Sequence, residues 1–179
     1  FDKLGPRYTS YPTADRFVEA FDAQSFAQAM RTRAIGAVHQ PLSLYVHLPF
    51  CNTICFYCGC NKVVTRDKSR ATRYLHYLGV EVGMQAALAG EERRVRQMHW
   101  GGGTPTFLSR EEMRALVDTV EARFARGAKC EYSIEVDPRS AEPGRIAFLA
   151  ELGFRRLSIG VQDFDPAVQK AVHRIQGVE

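Results

Sequence analysis

Two periodicities of apolar residues alternate along the chain. From Ser43 to Pro49, Leu44, Val46 and Leu48 recur at every second position, which predicts a strand with one buried face. From Arg70 to Leu88 the spacing becomes helical, with Ala71, Leu75, Leu78, Val82 and Gln85 or Ala86 on one side. Arg96–Trp100 is a second short strand and runs into Gly101-Gly102-Gly103. Ser109 can cap the next helix, and Glu112, three residues on, completes a capping box. Met113, Leu116, Val117, Val120 and Phe124 form its apolar stripe, and Gly127 is expected to end it. Glu131–Val136 is a third strand, stopped by Asp137-Pro138. Ile146, Leu149 and Leu152 mark another helix, closed by Gly153, and Arg156–Val161 is a fourth strand. Asp165-Pro166 reads as the N-cap and first-turn proline of a further helix.

Strands alternating with helices predict a parallel sheet joined by right-handed crossovers. A doubly wound sheet and a β/α barrel both have that order. The unusual residues choose between them. Four cysteines follow the first strand, three glycines the second, Glu135 lies near the end of the third, and Gln162 follows the fourth. Chemistry gathered at the C-terminal ends of several strands is the habit of barrels, whereas an open sheet uses one switch point. The fold class is therefore α/β, the first half of a β/α barrel spanning 41–179, with an open sheet edge. Residues 1–40 form an N-terminal extension over the active site, partly irregular in PRYTSYPTADRF and helical from Asp22 to Ile35. There is no internal repeat and no low-complexity tract.

Composition changes this picture little. Of 179 residues, 45% are hydrophobic and 25% charged, which is ordinary for a globular domain. The net charge of +4 is too mild and too scattered to argue for nucleic acid. No apolar run reaches the ~20 residues needed to cross a bilayer. The first residues show no apolar signal segment, and a cytoplasmic protein is expected because the cysteines crowd together rather than spreading as a secreted disulfide framework would. The lack of an initiator Met and a helix opening at the end read as a piece of a longer chain.

The cysteines change it more. Four of the five lie within CNTICFYCGC, Cys51 to Cys60, which is not how a secreted disulfide framework is spaced. Cys130 stands apart and reads as a small core residue. Thiols at i, i+4 and i+7 can surround one small object on a tight loop. Three thiolates on a four-iron cluster leave one iron open, unlike the closed ferredoxin runs. A zinc site completed by His47 or Cys60 is an alternative, and Cys55 with Cys58 could form a reactive CxxC pair. The glycines could be a plain turn, Glu135 an ion-pair partner and Gln162 the cap of a strand end.

With its CNTICFYC loop and GGGTPT segment, the sequence resembles the radical S-adenosylmethionine superfamily. Within it, PRYTSYPTA, LYVHLPFC, CGCNK, HWGGGTPT, SIEVDPR and LSIGVQDF resemble the oxygen-independent coproporphyrinogen III oxidase family, of whose longer protein the chain would be the front part. The resemblance implies that Cys51, Cys55 and Cys58 ligate a [4Fe–4S] cluster and that Cys60 does not. It implies two S-adenosylmethionine molecules. Tyr45, Gly102 and Glu135 would contact the one on the cluster; Tyr57, Gly103, Thr104, Gln162 and Arg174 fall where contacts to the pair belong. A 5′-deoxyadenosyl radical would then start the decarboxylation of two propionates of coproporphyrinogen III to vinyl groups in haem biosynthesis. An unidentified electron donor is implied, and the full-length protein is expected to be a monomer. Arg7, Tyr8 and Tyr11 could meet the substrate through a guanidinium and two aromatic faces. The alternatives are a haem-trafficking relative and a zinc-stabilised α/β binding module.

Overall fold

The computed structural model describes residues 16–32 and 40–177. The chain divides into two compact units, 1–40 and 41–179. In the first, helix α1 (Ala23–Arg31) is capped by Asp22, whose carboxylate accepts from Ser25 N at 2.8 Å. The described helix ends at Arg31 with Thr32 as its C-cap, four residues short of Ile35, which lies outside the described residues. Arg7, Tyr8 and Tyr11 also lie outside them.

The second unit runs β1 (Leu42–Leu48), β2 (Phe50–Cys51), β3 (Val63–Val64), α2 (Ser69–Ala89), β4 (Arg94–Gly102), α3 (Arg110–Glu121), β5 (Ala125–Val136), α4 (Pro143–Glu151), β6 (Phe154–Ile159) and α5 (Pro166–Ala171). The main sheet is parallel with order β1-β4-β5-β6. That order never reverses. A doubly wound sheet would reverse at its switch point; a monotonic order is a barrel wall. Among the described residues β1 and β6 each pair on one side only.

Register gives the sheet two unlike faces. On one, Val46, Trp100 and Ile134 lie side by side, as do Met98 and Tyr132, and all are buried. The stripes Met113, Leu116, Val117 and Val120 of α3 and Phe148 and Leu149 of α4 are buried too. Each large side chain removed from water contributes roughly 1.5–3 kcal/mol. On the other face Tyr45, His99, Ser133 and Arg156 form one row; beyond it His47 faces Gly101 and Glu135 faces Ser158, and a Cβ on Gly101 would stand 3.0 Å from the Glu135 carboxylate. This polar row ends where the chemistry is expected.

The capping box forms as the sequence predicts: Glu112 N donates to Ser109 Oγ, and Ser109 N to the Glu112 carboxylate. Asp165 caps α5 by accepting from Ala167 N and Val168 N. Gly153, at φ +94°, follows α4. Three expectations need correction. Gly127 does not end α3; the helix stops at Glu121 and Gly127 lies in β5, which pairs with β4 from Ala125 onward. Cys130 is half-buried rather than core, because the ladder slips there: Val95 faces Arg126 while Gln97 already faces Glu131. That slip leaves several residues of β5 opposite Arg96 as a bulge, off the pleat that feeds the core. The last strand begins at Phe154 rather than Arg156, since Phe154 is buried against Trp100, ring centroids 5.0 Å apart.

Candidate active site

The cysteine loop hangs between two short strands and is clipped at its base. β2 and β3 pair in parallel, Phe50 with Val63 and Cys51 with Val64. Val63 N donates to Pro49 O at 2.7 Å and Thr65 N to Cys51 O at 2.9 Å. The outer arm is tied to the turn after α5. Phe56 N donates to Val172 O, His173 Nδ1 lies 2.8 Å from Ile54 O, and the two rings stack at 5.3 Å. Within the loop Cys58 N donates to Cys55 O at 3.2 Å, a turn that brings the thiols to one side.

The glycine segment closes the opposite wall. Gly103 N donates to Leu48 O at 2.9 Å, and a Cβ on Gly103 would stand 2.7 Å from Pro49 O. No side chain fits there without moving the Pro49–Phe50 backbone between β1 and β2. Thr104 N continues the contact to Phe50 O, and its hydroxyl lies 3.5 Å from Cys51 Sγ. Gly102 adopts φ +115°, a conformation open to glycine, and its N–H donates to Glu135 Oε2 at 3.2 Å. Glu135 Oε1 lies 3.5 Å from His99 Nε2, whose other nitrogen is 2.8 Å from Ser133 Oγ. Tyr45 stacks on His99 and places its hydroxyl 3.2 Å from His47 Nδ1. His47 Nε2 is in turn 2.9 Å from Asn61 O, so both its nitrogens have partners.

These walls enclose a cavity of about 480 Å³. Cys51, Cys55, Tyr57, Cys58, Gly102, Gly103, Thr104, Glu135, Gln162 and Arg174 all line it. Tyr45 does not; it lies on the same polar face beside His99. Gln162 reaches the rim from a left-handed backbone position, φ +73°. Charged lining residues that the sequence did not single out are Lys62, Asp137 and Arg139. The segment SIEVDPR held the last two in view, but Asp137-Pro138 was legible there only as a strand stop.

The charges are unevenly spread. Burial pushes the Cys51 thiol up, partly offset by the Thr104 hydroxyl. Burial acts on Cys58 in the same sense, but the Cys60 backbone and thiol and the Lys62 ammonium outweigh it and hold Cys58 below the usual thiol range. Burial and the neighbouring Cys58 push Cys60 up. Asp137, despite its burial, is held below the usual carboxylate range by hydrogen bonds from Arg139 and by Arg174.

Three thiols on one wall of the cavity and a side-chain-free glycine segment on the other fit a [4Fe–4S] cluster that keeps one position open for a further ligand. A zinc site needs four ligands about 2–2.3 Å from one ion. Thiols spaced around a cavity suit a larger body, and the side-chain-free glycine wall leaves room for a ligand against the backbone.

Comparison with known proteins agrees. The model of the radical SAM superfamily matches residues 45–179. The oxygen-independent coproporphyrinogen III oxidase of Escherichia coli is 49% identical over 180 residues, covering all of this chain and 38% of the relative. That of Pseudomonas aeruginosa is 47% identical over 182 residues, covering all of this chain and 39% of the relative. The solved structure of coproporphyrinogen III oxidase from Escherichia coli, described as a radical SAM enzyme, superimposes with a TM-score of 0.87 at 47% identity. It covers 96% of this chain and 38% of that one. The chain thus spans about two-fifths of the length of the curated relatives it matches. A [4Fe–4S] cluster and S-adenosylmethionine are implied by the family. With strand order, cysteine loop and glycine wall all in place, the chain belongs to the radical SAM superfamily.

Proposed function

We propose that the chain is the front part of an oxygen-independent coproporphyrinogen III oxidase. The reaction is the oxidative decarboxylation of two propionates of coproporphyrinogen III to vinyl groups, giving protoporphyrinogen IX. The observation that carries this reading is the convergence of Cys51, Cys55 and Cys58 with the glycine wall and Glu135 on one cavity, in a chain 49% identical along its whole length to a protein of that name.

In this reading Cys51, Cys55 and Cys58 hold the cluster and leave one iron for S-adenosylmethionine. Bound together, these groups supply the one-electron chemistry that starts hydrogen-atom abstraction. The protein positions them. The free backbone at Gly101–Gly103 lets the methionine end lie close, and Gly102 fixes the Glu135 carboxylate so that its other oxygen can accept from an ammonium or ribose hydroxyl. Tyr45 backs this wall through His99. Tyr57, Gly103, Thr104, Gln162 and Arg174 line the same cavity and contact the pair of S-adenosylmethionine molecules. Arg7, Tyr8 and Tyr11 contact the substrate. The full-length protein works as a monomer in the cytoplasm and takes electrons from a separate donor. No helix among the described residues is long and apolar enough to cross a membrane.

The test is anaerobic cluster reconstitution of the natural-length protein, reduction with dithionite, and assay of 5′-deoxyadenosine and porphyrinogen products. Both should form, and Cys55→Ser should abolish both. Cofactor cleavage without loss of carbon dioxide from coproporphyrinogen III would reject the substrate while keeping the radical chemistry.

A further inference from the structure

Cys55 differs in its surroundings from Cys51 and Cys58, the other two proposed cluster ligands. Cys51 faces the Thr104 hydroxyl, and Cys58 lies beside Cys60 and Lys62. Cys55 faces two guanidiniums. Arg174 Nη1 lies 3.5 Å from its sulfur and Arg139 Nη2 4.0 Å. Both arginines also meet one carboxylate: Asp137 Oδ2 is 2.6 Å from Arg139 Nη2 and 3.3 Å from Arg174 Nη1.

The arrangement is costly unless each part is present. Arg174 is buried, 8% exposed, and a buried guanidinium costs several kcal/mol unless paired. Asp137 supplies the counter-charge, and Gly160 O accepts from Arg174 Nη2 at 2.7 Å. Arg174 Nε has no partner. The chain reaches this position through His173 at φ +56°, a strained backbone for a non-glycine residue, held by its ring contact with the cysteine loop. Asp137 is fixed as well, since it caps the turn Pro138–Ser140 by accepting from Arg139 N at 3.0 Å. Two cations and one anion leave a net positive charge beside one sulfur. Hydrogen bonds to cluster sulfurs and local charge are the levers that set an iron–sulfur potential.

We propose that Asp137 is a positioning residue that holds the Arg174 and Arg139 guanidiniums on Cys55 Sγ and thereby raises the reduction potential of the cluster bound there. This rests on the reading of Cys55 as a cluster ligand. The effect concerns how readily the donor's electron is accepted, not which substrate is used.

The experiment is an EPR-monitored redox titration of the reconstituted natural-length protein, without S-adenosylmethionine. Wild type should show a reduced [4Fe–4S] signal; its absence at full iron and sulfide loading would reject both the ligand reading and this inference. Asp137→Asn keeps an oxygen for the turn but loses the charge that gathers the arginines. Its midpoint potential should fall by a tenfold shift in the reduced-to-oxidised ratio or more, about 59 mV for one electron. Loss of a negative charge without loss of positioning would raise the potential instead. A rise or no change, with the wild-type signal intact, overturns the inference and leaves the cluster reading standing. Should Asp137→Asn fail to load a cluster, Arg139→Gln decides. Arg139 is partly exposed, and its loss removes one donor and one positive charge, so the potential should again fall.

Discussion

The two faces of the sheet obey different rules. The helix-covered face is apolar in every row, with Met98, Trp100, Tyr132 and Ile134 wholly or almost wholly buried. The opposite face carries Tyr45, His47, His99, Ser133, Glu135 and Ser158 on the same strands, one residue out of phase. Strand geometry alone makes this possible, because successive side chains point to opposite sides. One face supplies stability; the other spends little on it and is free to carry chemistry. Tyr45 shows the contrast, being 59% exposed while its neighbour Val46 is 7% exposed.

Substitutions should separate the faces sharply. Trp100→Ala opens the apolar layer at a fully buried ring and should cost about 3–5 kcal/mol, read as a lower denaturant midpoint in the natural-length protein. A loss below about 1 kcal/mol would mean that the layer is not continuous. Gly103→Ala presses a methyl group on Pro49 O and should cost about 1–3 kcal/mol. It should also reduce S-adenosylmethionine binding by calorimetry, since the glycine wall belongs to both structure and site.

Asp137 sharpens the comparison through pH. Its folded carboxyl titrates below the usual range, so its contribution is fully present above the unfolded value of about 3.9 and is lost as pH falls through the lower folded value. The stability gap between wild type and Asp137→Asn should therefore be constant near neutral pH and narrow in acid. The Trp100→Ala gap should contain no such carboxylate contribution. A gap at Asp137 that stays flat down to pH 2 would contradict the pairing with Arg139 and Arg174. Glu135→Gln should have the smallest effect on stability, within about 0.5 kcal/mol. It should nonetheless depress 5′-deoxyadenosine formation strongly, the signature of a face that serves function.

The sequence made the two faces legible wherever a period ran for five residues or more. Leu44, Val46 and Leu48 announce the phase of β1, and the phase places Tyr45 and His47 on the other side. The capping box at Ser109 was legible because both partners are three residues apart. Gly127 misled because a glycine after a buried Phe124 resembles a helix stop, whereas strand pairing from Ala125 decides the matter. The β2–β3 pair was too short to leave a period, yet it clips the cysteine loop. Asp137 escaped for another reason. Its partner Arg174 is distant along the chain, and only the strained turn at His173 brings it back to the carboxylate.

The unreversed strand order also bears on how such a site is assembled on the ribosome. Each strand pairs with the one made just before it in the main sheet, so the order of synthesis is the order of construction. The thiols emerge first, the glycine wall next, then Glu135, and Arg174 last. At roughly 5–20 residues per second, the cysteine loop waits about 6 to 24 seconds for the guanidinium that will face Cys55, 119 residues further on. During that interval the nascent chain carries four neighbouring thiols without the Arg174 side of their cavity. In the reading of Cys51, Cys55 and Cys58 as cluster ligands, this is when the thiols are most accessible.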